Sequence, residues 1–262
     1  MAGNSNKRVV LVLGASSNGG VGCVTARRFA GKGATVAVSA RRLESLQALA
    51  KEIDGIAVAC DIADEQQVKQ LASEMKTRFG KIDVIVNAIG HVVSGTPDTT
   101  QASHLHEAMA TEYFGNFHLF KHLGPLVAEG GAIVVISSLA STHYVPGVLP
   151  YANAKAAANN LVKYAAVELA PRRIRVNAIV ASLIDTPMID AIRDNTAIMN
   201  TIAKEISLGR GAKASEIAAA AEWLCDPECF MTGALVPVDG GNHLRRAPFP
   251  DEMPATTFDA LV

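Results

Sequence analysis

The sequence has no excess of charge of either sign, few cysteines and no long apolar run. Its 24 lysines and arginines stand against 25 aspartates and glutamates, and a balanced chain lacks the electrostatic footprint for nucleic acid or an anionic membrane. Four cysteines in 262 residues do not make a disulfide framework. Apolar runs such as Val9–Leu13 fall far short of the roughly 20 residues that span a bilayer. We therefore expect neither a nucleic-acid partner nor a membrane partner.

Metal ligands and targeting signals are also scarce. Cys225 and Cys229 could hold half of a metal site, and His118 and His122 are spaced as neighbours on a helix. Neither pair has a further candidate ligand near it in the sequence, so we expect no metal ion. The first seven residues are polar and lack the apolar segment of a signal peptide. We expect a cytoplasmic protein.

What the sequence does contain is an alternation of short β-branched runs with longer stretches of helical spacing. With 49% apolar residues, it can bury a sizeable core. The predicted strands are Val9–Leu13, Thr35–Val38, Ile56–Ala59, Val84–Val86, Ile133–Ile136, Val176–Ile179 and Leu235–Val238. The predicted helices are Val21–Gly31, Leu43–Ile53, Glu65–Phe79, His104–Leu123, Tyr151–Leu169 and Ser215–Leu224. Several strands are apolar throughout, as is typical of parallel strands buried on both faces.

Repeated β–α alternation predicts an α/β fold with a doubly wound parallel sheet in a single domain. We expect residues 1–241 to form this domain, because no linker or change in composition divides them. Residues 242–262 contain Pro248, Pro250 and Pro254 among polar and aromatic residues. For these residues we expect an extended C-terminal tail without helix or strand.

A glycine-rich loop joins the first predicted strand to the first predicted helix, and it contains Gly14, Gly20 and Gly22. Glycines permit a tight turn and let a pyrophosphate approach the backbone N–H groups at a helix N-terminus, where the helix dipole favours anions. Such a loop after the first strand of an α/β pattern predicts a dinucleotide site.

Two arginines follow the second predicted strand. Arg41 and Arg42 stand where a carboxylate would hold the adenosine ribose of NAD. Guanidinium groups instead match the oxygens of a 2′-phosphate. Two solvated arginines at the start of the next helix are the alternative interpretation. We favour NADP(H) over NAD(H) as the cofactor.

A tyrosine, a lysine and a serine form the candidate catalytic group. Tyr151 and Lys155 share one face of a predicted helix. An ammonium beside a phenol, with an oxidised nicotinamide nearby, is expected to lower the pKa of the phenol, which then exchanges a proton with an alcohol. Ser138 lies thirteen residues before Tyr151 and can hold the substrate oxygen. Ser137 is its main rival, because neighbours at a strand end point opposite ways, and Ser141 is a weaker one.

The placement of these residues supports a common site. The glycine loop, residues 87–90, Ser138 and residues 185–187 each follow a predicted strand. They are therefore expected at the carboxyl edge of the sheet, where doubly wound folds bind ligands.

With these residues assembled, residues 7–241 resemble the short-chain dehydrogenase/reductase family. The matching features are the glycine loop, Asp61, Asn87-Ala88-Ile89-Gly90, Ser138, Tyr151, Lys155, Asn177, Thr186 and Val238-Asp239-Gly240-Gly241. The resemblance implies a seven-stranded Rossmann fold and hydride transfer between a nicotinamide and a small-molecule carbonyl or alcohol. It also implies a homotetramer or homodimer, and the alanine-rich stretch over residues 152–170 suits packing between subunits.

The resemblance further assigns roles to cofactor-binding residues. It implies that Asp61 meets the adenine, Asn87 the adenosine side and Thr186 the carboxamide. Lys155 would bind the nicotinamide ribose and tune Tyr151. The complete expected set is Gly14, Ser16, Ser17, Gly20, Val21, Gly22, Arg41, Arg42, Asp61, Ile62, Asn87, Ala88, Gly90, Tyr151, Lys155 and Thr186.

The chain departs from the family pattern in four places. Three of them are two extra residues between Gly14 and Gly20, Ala88-Ile89 in place of Asn-Ala, and Ala181-Ser182 in place of Pro-Gly. The fourth is Glu112, which counting back from Gly115 and Pro125 places where the family has an asparagine that holds a water in a proton relay to the lysine.

We hypothesise that Glu112 takes part in catalysis by replacing this asparagine. A buried glutamate there would be neutral or paired with Lys155, and it would add a pH dependence. The alternative is a rearranged helix with Glu112 behind the site. Asn116, the nearest asparagine, lies about one turn away.

The sequence therefore predicts an NADPH-dependent carbonyl reductase, or an alcohol dehydrogenase of the same chemistry. Ser138 would steady the substrate oxygen and Tyr151 would give the proton. Two alternatives stay open. One is an enzyme of another class on this scaffold, such as a dehydratase or an epimerase. The other is a non-catalytic cofactor-binding or sensor protein.

Overall fold

Seven parallel strands form the central sheet of the computed structural model, which describes residues 7–252. These seven strands and two short ones outside the central sheet are, in chain order, β1 (Val9–Leu13), β2 (Thr35–Ala40), β3 (Ile56–Ala59), β4 (Ile82–Asn87), β5 (Val127–Ser138), β6 (Arg175–Ala181), β7 (Ile184–Asp185), β8 (Ala212–Lys213) and β9 (Leu235–Val238). The sheet has the order β3-β2-β1-β4-β5-β6-β9, and β7 pairs separately with β8. The predicted α/β fold with a doubly wound, seven-stranded Rossmann sheet is confirmed. The order reverses between β1 and β4, which is where such folds open a ligand crevice.

Nine α-helices connect the strands of residues 7–252. They are α1 (Val21–Gly31), α2 (Leu43–Glu52), α3 (Glu65–Phe79), α4 (Ala102–Met109), α5 (Gly115–His118), α6 (Leu149–Leu169), α7 (Asp190–Arg193), α8 (Thr196–Lys204) and α9 (Ala214–Leu224). Asp64 starts α3 by accepting the N–H groups of Gln66 and Gln67, which satisfies donors that a helix leaves free. No helix in this part of the chain has the length and apolar character to cross a membrane.

The two faces of the sheet carry separate cores because neighbouring side chains on a strand point to opposite sides. In β1, Val10 and Val12 pack with residues of α1, α2 and α9. Leu11 and Leu13 pack on the other face with residues of α3 and α6. Both faces are therefore buried, and the functional side chains are left to the strand ends.

The helix predicted over residues 104–123 is interrupted twice. A π-helical turn at Ala110–Phe114 follows α4, and a second one at Leu119–Leu123 follows α5. A π turn adds a residue to the helical repeat and frees a backbone group. The first of these turns carries Glu112, so the irregularity falls at the residue that departs most from the family pattern.

The segment after β9 differs from the extended tail predicted for it. Two short 3₁₀ turns occur at Asn242–Leu244 and Pro250–Glu252. The Asp239 carboxylate accepts the N–H groups of Gly241 and His243, and the Asn242 amide donates to the carbonyl of Glu205. These bonds turn the chain back onto the domain. The boundary at residue 241 stays a prediction, and residues 253–262 of the tail, like residues 1–6, lie outside the described residues.

The crossing between the glycine loop and α1 provides a test of the fold. A methyl group on Gly22 would lie 2.4 Å from the carbonyl oxygen of Gly14, so Gly22→Ala forces the β1–α1 turn apart. We expect a loss of about 1–3 kcal/mol in the free energy of unfolding, as for overpacked sites, measured by urea denaturation.

The matched control is Gly31→Ala at the other end of α1, where a methyl group meets no atom within 4 Å. This variant should be neutral or stabilise the protein by about 0.4–1 kcal/mol. Equal losses in both variants would contradict the close approach.

Candidate active site

The carboxyl ends of four neighbouring strands bring the predicted site residues to one edge of the sheet. Leu13 of β1 pairs with Asn87 of β4, and Ser138 of β5 pairs with Ala181 of β6. Gly14 follows the first of these strands directly, and Thr186 follows β7. The strand register thus places the glycine loop, Asn87, Ser138 and the Thr186 loop around one crevice.

The glycine loop leaves open backbone at the start of α1. Gly14 has a φ of +81°, and a methyl group there would lie 2.7 Å from the backbone of Ala88. Gly20 precedes α1 in an extended conformation, and no side chain caps this helix. The two extra residues are taken up by a turn in which the N–H of Gly20 donates to the carbonyl of Ser17. Uncapped helical N–H groups beside side-chain-free backbone fit a pyrophosphate.

The residues expected around the adenosine lie along the same edge. Arg42 donates to the hydroxyl of Ser16 at 3.2 Å, so its guanidinium reaches across to the glycine loop. Both Arg41 and Arg42 are exposed. Asp61 accepts the N–H of Ala63 through its carboxylate. These groups leave cationic and polar atoms beside the loop, as a phosphorylated ribose and an adenine require.

Lys155 lies buried beneath Tyr151 on α6. Its Nζ atom is 5.6 Å from the centroid of the Tyr151 ring and donates to the carbonyl of Ile136 at 2.9 Å. The predicted one-turn spacing therefore does bring the ammonium and the phenol together. The lysine side chain is only 3% exposed, so its charge needs a partner inside the protein.

Glu112 is that partner. Its Oε2 atom lies 2.7 Å from Nζ of Lys155, and the glutamate side chain is 1% exposed. The other oxygen, Oε1, accepts the backbone N–H of His91 at 2.8 Å. Of the two arrangements left open by the sequence, the structure has the ion pair with Lys155.

Two asparagines support Glu112 from behind. Asn116 donates from Nδ2 to the backbone carbonyl of Glu112 at 2.6 Å. Asn87 donates in turn to Oδ1 of Asn116 at 3.0 Å. Sequence reasoning noted Asn116 only as an asparagine one turn away, whereas it fixes the backbone of the π turn that carries Glu112.

Of the three candidate serines, Ser138 is the one that faces Tyr151. Its side chain is close enough to Tyr151 to lower the pKa of the phenol, and it accepts the N–H of Ala140. Ser137 is buried and donates to Oδ1 of Asn159 at 2.6 Å. Ser141 donates to the carbonyl of Ser138 at 2.5 Å. The rivals therefore shape the loop and leave Ser138 toward the phenol.

Asn159 is a supporting residue that sequence reasoning missed. It accepts from Ser137 and donates from Nδ2 to Ser141 at 2.7 Å. Through these bonds it ties the loop of Ser138 to α6. A signal was present, because Asn159 lies one turn beyond Lys155 on the same helix and interrupts a run of alanines.

The electrostatics of Tyr151 differ from the expectation. Burial of the phenol has the largest effect on the pKa of Tyr151 and raises it. The Lys155 ammonium lowers this pKa and the Glu112 carboxylate raises it, while the Ser138 hydroxyl lowers it. The net result is a raised pKa. The prediction of a lowered pKa included an oxidised nicotinamide beside the phenol; in the protein alone, burial and a second charge outweigh the lysine. For Lys155, burial lowers the pKa, but Glu112 and Tyr151 outweigh burial and the net pKa is raised.

The two histidines considered as metal ligands have structural partners. His118 bonds to the carbonyl of Ile62, and His122 to Glu65. Among residues 7–252, no three histidine, cysteine, aspartate or glutamate side chains are grouped as a metal site would need. Asn177 joins β6 to the segment before β9 by accepting the N–H of Ala234.

The chain is similar over most of its length to known reductases and dehydrogenases. The profile of a family described as enoyl-(acyl carrier protein) reductase matches residues 14–243. A 3-oxoacyl-(acyl-carrier-protein) reductase of Thermotoga maritima is 31% identical over 242 residues, covering 89% of this chain and 97% of the relative.

Solved structures agree with the sequence relatives. A short-chain type dehydrogenase/reductase from Mycobacterium ulcerans has a TM-score of 0.89 at 26% identity, with 97% of each chain covered. An NADPH-bound short-chain oxidoreductase from Pseudomonas aeruginosa, described as containing an atypical catalytic centre, has a TM-score of 0.82 at 29% identity. That match covers 89% of this chain and 96% of the other.

The serine–asparagine network provides a second test. Asn159→Ala leaves the buried hydroxyl of Ser137 without its acceptor, and an unsatisfied buried polar group costs about 1–3 kcal/mol. We expect that loss in the free energy of unfolding by urea. The control is Asn160→Ala, one residue on and exposed, which should change stability by no more than about 0.5 kcal/mol. Similar values for the two variants would show that the network has no structural weight.

Proposed function

The chain belongs to the short-chain dehydrogenase/reductase family and is an oxidoreductase of CH–OH and C=O groups, and we propose that it acts as an NADP(H)-dependent carbonyl reductase or alcohol dehydrogenase. The observation that carries the proposal is the convergence of Ser138 and Lys155 on Tyr151, beside the open glycine loop. The predicted cytoplasmic location stays a prediction.

We propose that Ser138 and Tyr151 act together on the substrate oxygen. When bound, the nicotinamide supplies or accepts the hydride. The Ser138 hydroxyl donates a hydrogen bond to the substrate oxygen and steadies its developing negative charge. The phenol of Tyr151 gives its proton to that oxygen during reduction and takes it back during oxidation. Lys155 lies behind the Tyr151 ring, where its ammonium stabilises the phenolate form of that side chain.

The cofactor residues are assigned on the same basis. The backbone around Gly14, Gly20 and Gly22 would receive the pyrophosphate at the start of α1. The adenosine would lie among Asp61, Ile62, Asn87, Ala88 and Gly90, and the nicotinamide end among Tyr151, Lys155 and Thr186. Ser16, Ser17 and Val21 complete the loop. The neighbour from Pseudomonas aeruginosa is bound to NADPH, which supports the same cofactor here.

We also propose that Glu112 replaces the relay asparagine of the family. Its carboxylate contacts Lys155 directly and is held by the N–H of His91, so it can exchange a proton with the lysine. A titratable group in this position makes turnover depend on pH in a way that an amide does not.

A homodimer or homotetramer is the proposed assembly. Tyr164 and Val167 of α6 are 65% and 74% exposed, and Phe117, which is 40% exposed, lies beside Tyr164. Trp223 and Phe230 are exposed on another face, near β9. Exposed apolar patches of this kind mark surfaces that associate with protein. In a symmetric homo-oligomer, each of these two patches can be covered by a second copy of the chain.

The reaction is tested by following NADPH oxidation against ketones, aldehydes, quinones and β-ketoacyl thioesters. With any accepted substrate, Tyr151→Phe should lower kcat/KM at least about 100-fold, because general acid catalysis supplies that much. This corresponds to about 3 kcal/mol of transition-state stabilisation. The control is Tyr164→Phe, an exposed tyrosine of the same helix, which should keep wild-type turnover.

Full activity of Tyr151→Phe would remove that phenol from the mechanism. Binding of NADPH without turnover of any substrate would favour a sensor. Formation of product without net consumption of NADPH would favour a dehydratase or an epimerase.

Cofactor preference is tested at the arginine beside the glycine loop. A charge-assisted hydrogen bond contributes about 1.5–3 kcal/mol, so Arg42→Ala should raise the KM for NADPH by roughly 10- to 100-fold and leave the KM for NADH unchanged. Arg78→Ala, an exposed arginine of α3 paired with Glu74, is the control and should alter neither value. Parallel changes for NADPH and NADH in Arg42→Ala would exclude a 2′-phosphate contact.

A further inference from the structure

Half-buried Tyr151 lies beside a buried pair of one positive and one negative group. Lys155 and Glu112 are 2% and 1% exposed as residues, and their charged atoms lie 2.7 Å apart. At this distance inside the protein, the two charges compensate each other as seen from a third group. Tyr151 therefore lies next to an ion pair rather than next to an isolated cation.

The carboxylate is fixed in its place. The backbone N–H of His91 holds Oε1, and the side chain of Asn116 holds the backbone carbonyl of Glu112. Gly90 lies next to the pair, since a methyl group there would be 3.9 Å from both Oε1 of Glu112 and Nζ of Lys155. These contacts hold the buried glutamate beside the lysine.

The other groups packed against these three residues are uncharged. Strand β5 contributes the Ser138 hydroxyl and the Ile136 carbonyl. The loop after β4 contributes only the N–H of His91, whose imidazole pairs with exposed Glu107 instead. The turn after β7 contributes the apolar end of Met188 near Gly90. Within residues 7–252, the charged groups that act on Tyr151 are Lys155 and Glu112.

We propose that Glu112 offsets part of the effect of the Lys155 charge on Tyr151 and so helps to keep Tyr151 protonated at neutral and mildly alkaline pH, which favours reduction of a carbonyl over oxidation of an alcohol. The proposal rests on the proposed function, because it assigns Tyr151 the reacting proton. It adds a direction to that function. Glu112 is a positioning residue here, acting on the substrate through Tyr151.

The directions of the pKa shifts agree with this arrangement. Burial raises the pKa of Tyr151 and Glu112 raises it further, while Lys155 and Ser138 lower it without reversing the sign. Proton donation needs the phenol, so reduction is lost as the pH rises through this pKa. Oxidation needs the phenolate, so it increases over the same range.

The test measures the phenol directly in the protein without cofactor. The chain has four tyrosines, and ¹³C labelling at Cζ follows each by NMR, with Tyr151→Phe assigning the signal. In the wild type we expect Tyr151 to titrate above the ordinary tyrosine pKa of about 10. Titration of Tyr151 below that value would overturn the proposal, whatever the variants do.

Glu112→Gln leaves the lysine charge uncompensated. An opposite charge at this range lowers a pKa by roughly 1–3, so Tyr151 should titrate at least about one pH unit lower than in the wild type. Glu112→Asn provides a second variant in case the first does not fold, checked by circular dichroism. Glu107→Gln, exposed on α4, is the control and should leave the signal unchanged. An unchanged Tyr151 in a folded Glu112 variant would overturn the proposal.

The kinetic profiles give an independent result. With an accepted substrate, the pH at which reduction declines and oxidation rises should both move down in the Glu112 variants and stay in Glu107→Gln. If the wild type turns over no carbonyl substrate, the proposed function fails while the NMR titration still decides the electrostatic inference. If turnover occurs but the titration does not move, only the inference fails.

Discussion

The register between parallel strands limits where every functional side chain of this protein can lie. Leu13 pairs with Asn87, Asn87 with Val135, and Ser138 with Ala181. Because both faces of these strands are buried, a slip by one residue would send each apolar side chain to the wrong core. The register is therefore fixed by packing, and the strand ends are fixed with it. The polar site residues lie at the carboxyl edge of the sheet because the cores bury both of its faces.

Within this frame, the most expensive element of the site is a buried ammonium. Transferring a charged side chain from water to the protein interior costs several kcal/mol. Deleting one partner of a buried ion pair destabilises the protein by more than a surface ion pair stabilises it. Lys155 is compensated by Glu112 and by the carbonyl of Ile136. Glu112 in turn needs the N–H of His91 and an ordered π turn. The first π turn thus lies where a carboxylate is brought to this lysine.

Much of the fold could be predicted from the sequence because its signals are local. Strands β1 and β3 and helices α1 and α3 have the predicted bounds, since apolar runs or helical spacing end at glycine or aspartate there. Strand β5 begins at Val127, six residues before its predicted start. The prediction began late because glycines 130 and 131 interrupt the apolar pattern. The π turns, α7, α8 and the β7–β8 pair were not predicted. The β7–β8 pair joins residues 184–185 to residues 212–213, which no local signal indicates, whereas α8 begins at a local signal, the cap formed by Asn195.

The candidate site shows the same division. Ser138, Tyr151 and Lys155 follow from strand ends and one-turn spacing, both of which the sequence displays. The direction in which the pKa of Tyr151 moves does not follow from the sequence in this way, because it depends on burial and on a carboxylate 39 residues earlier in the chain. Spacing decides which groups meet, whereas the protonation of a buried group depends on every charge and dipole around it. A site with the usual tyrosine and lysine can therefore hold its proton differently when one residue on a neighbouring helix supplies a negative charge.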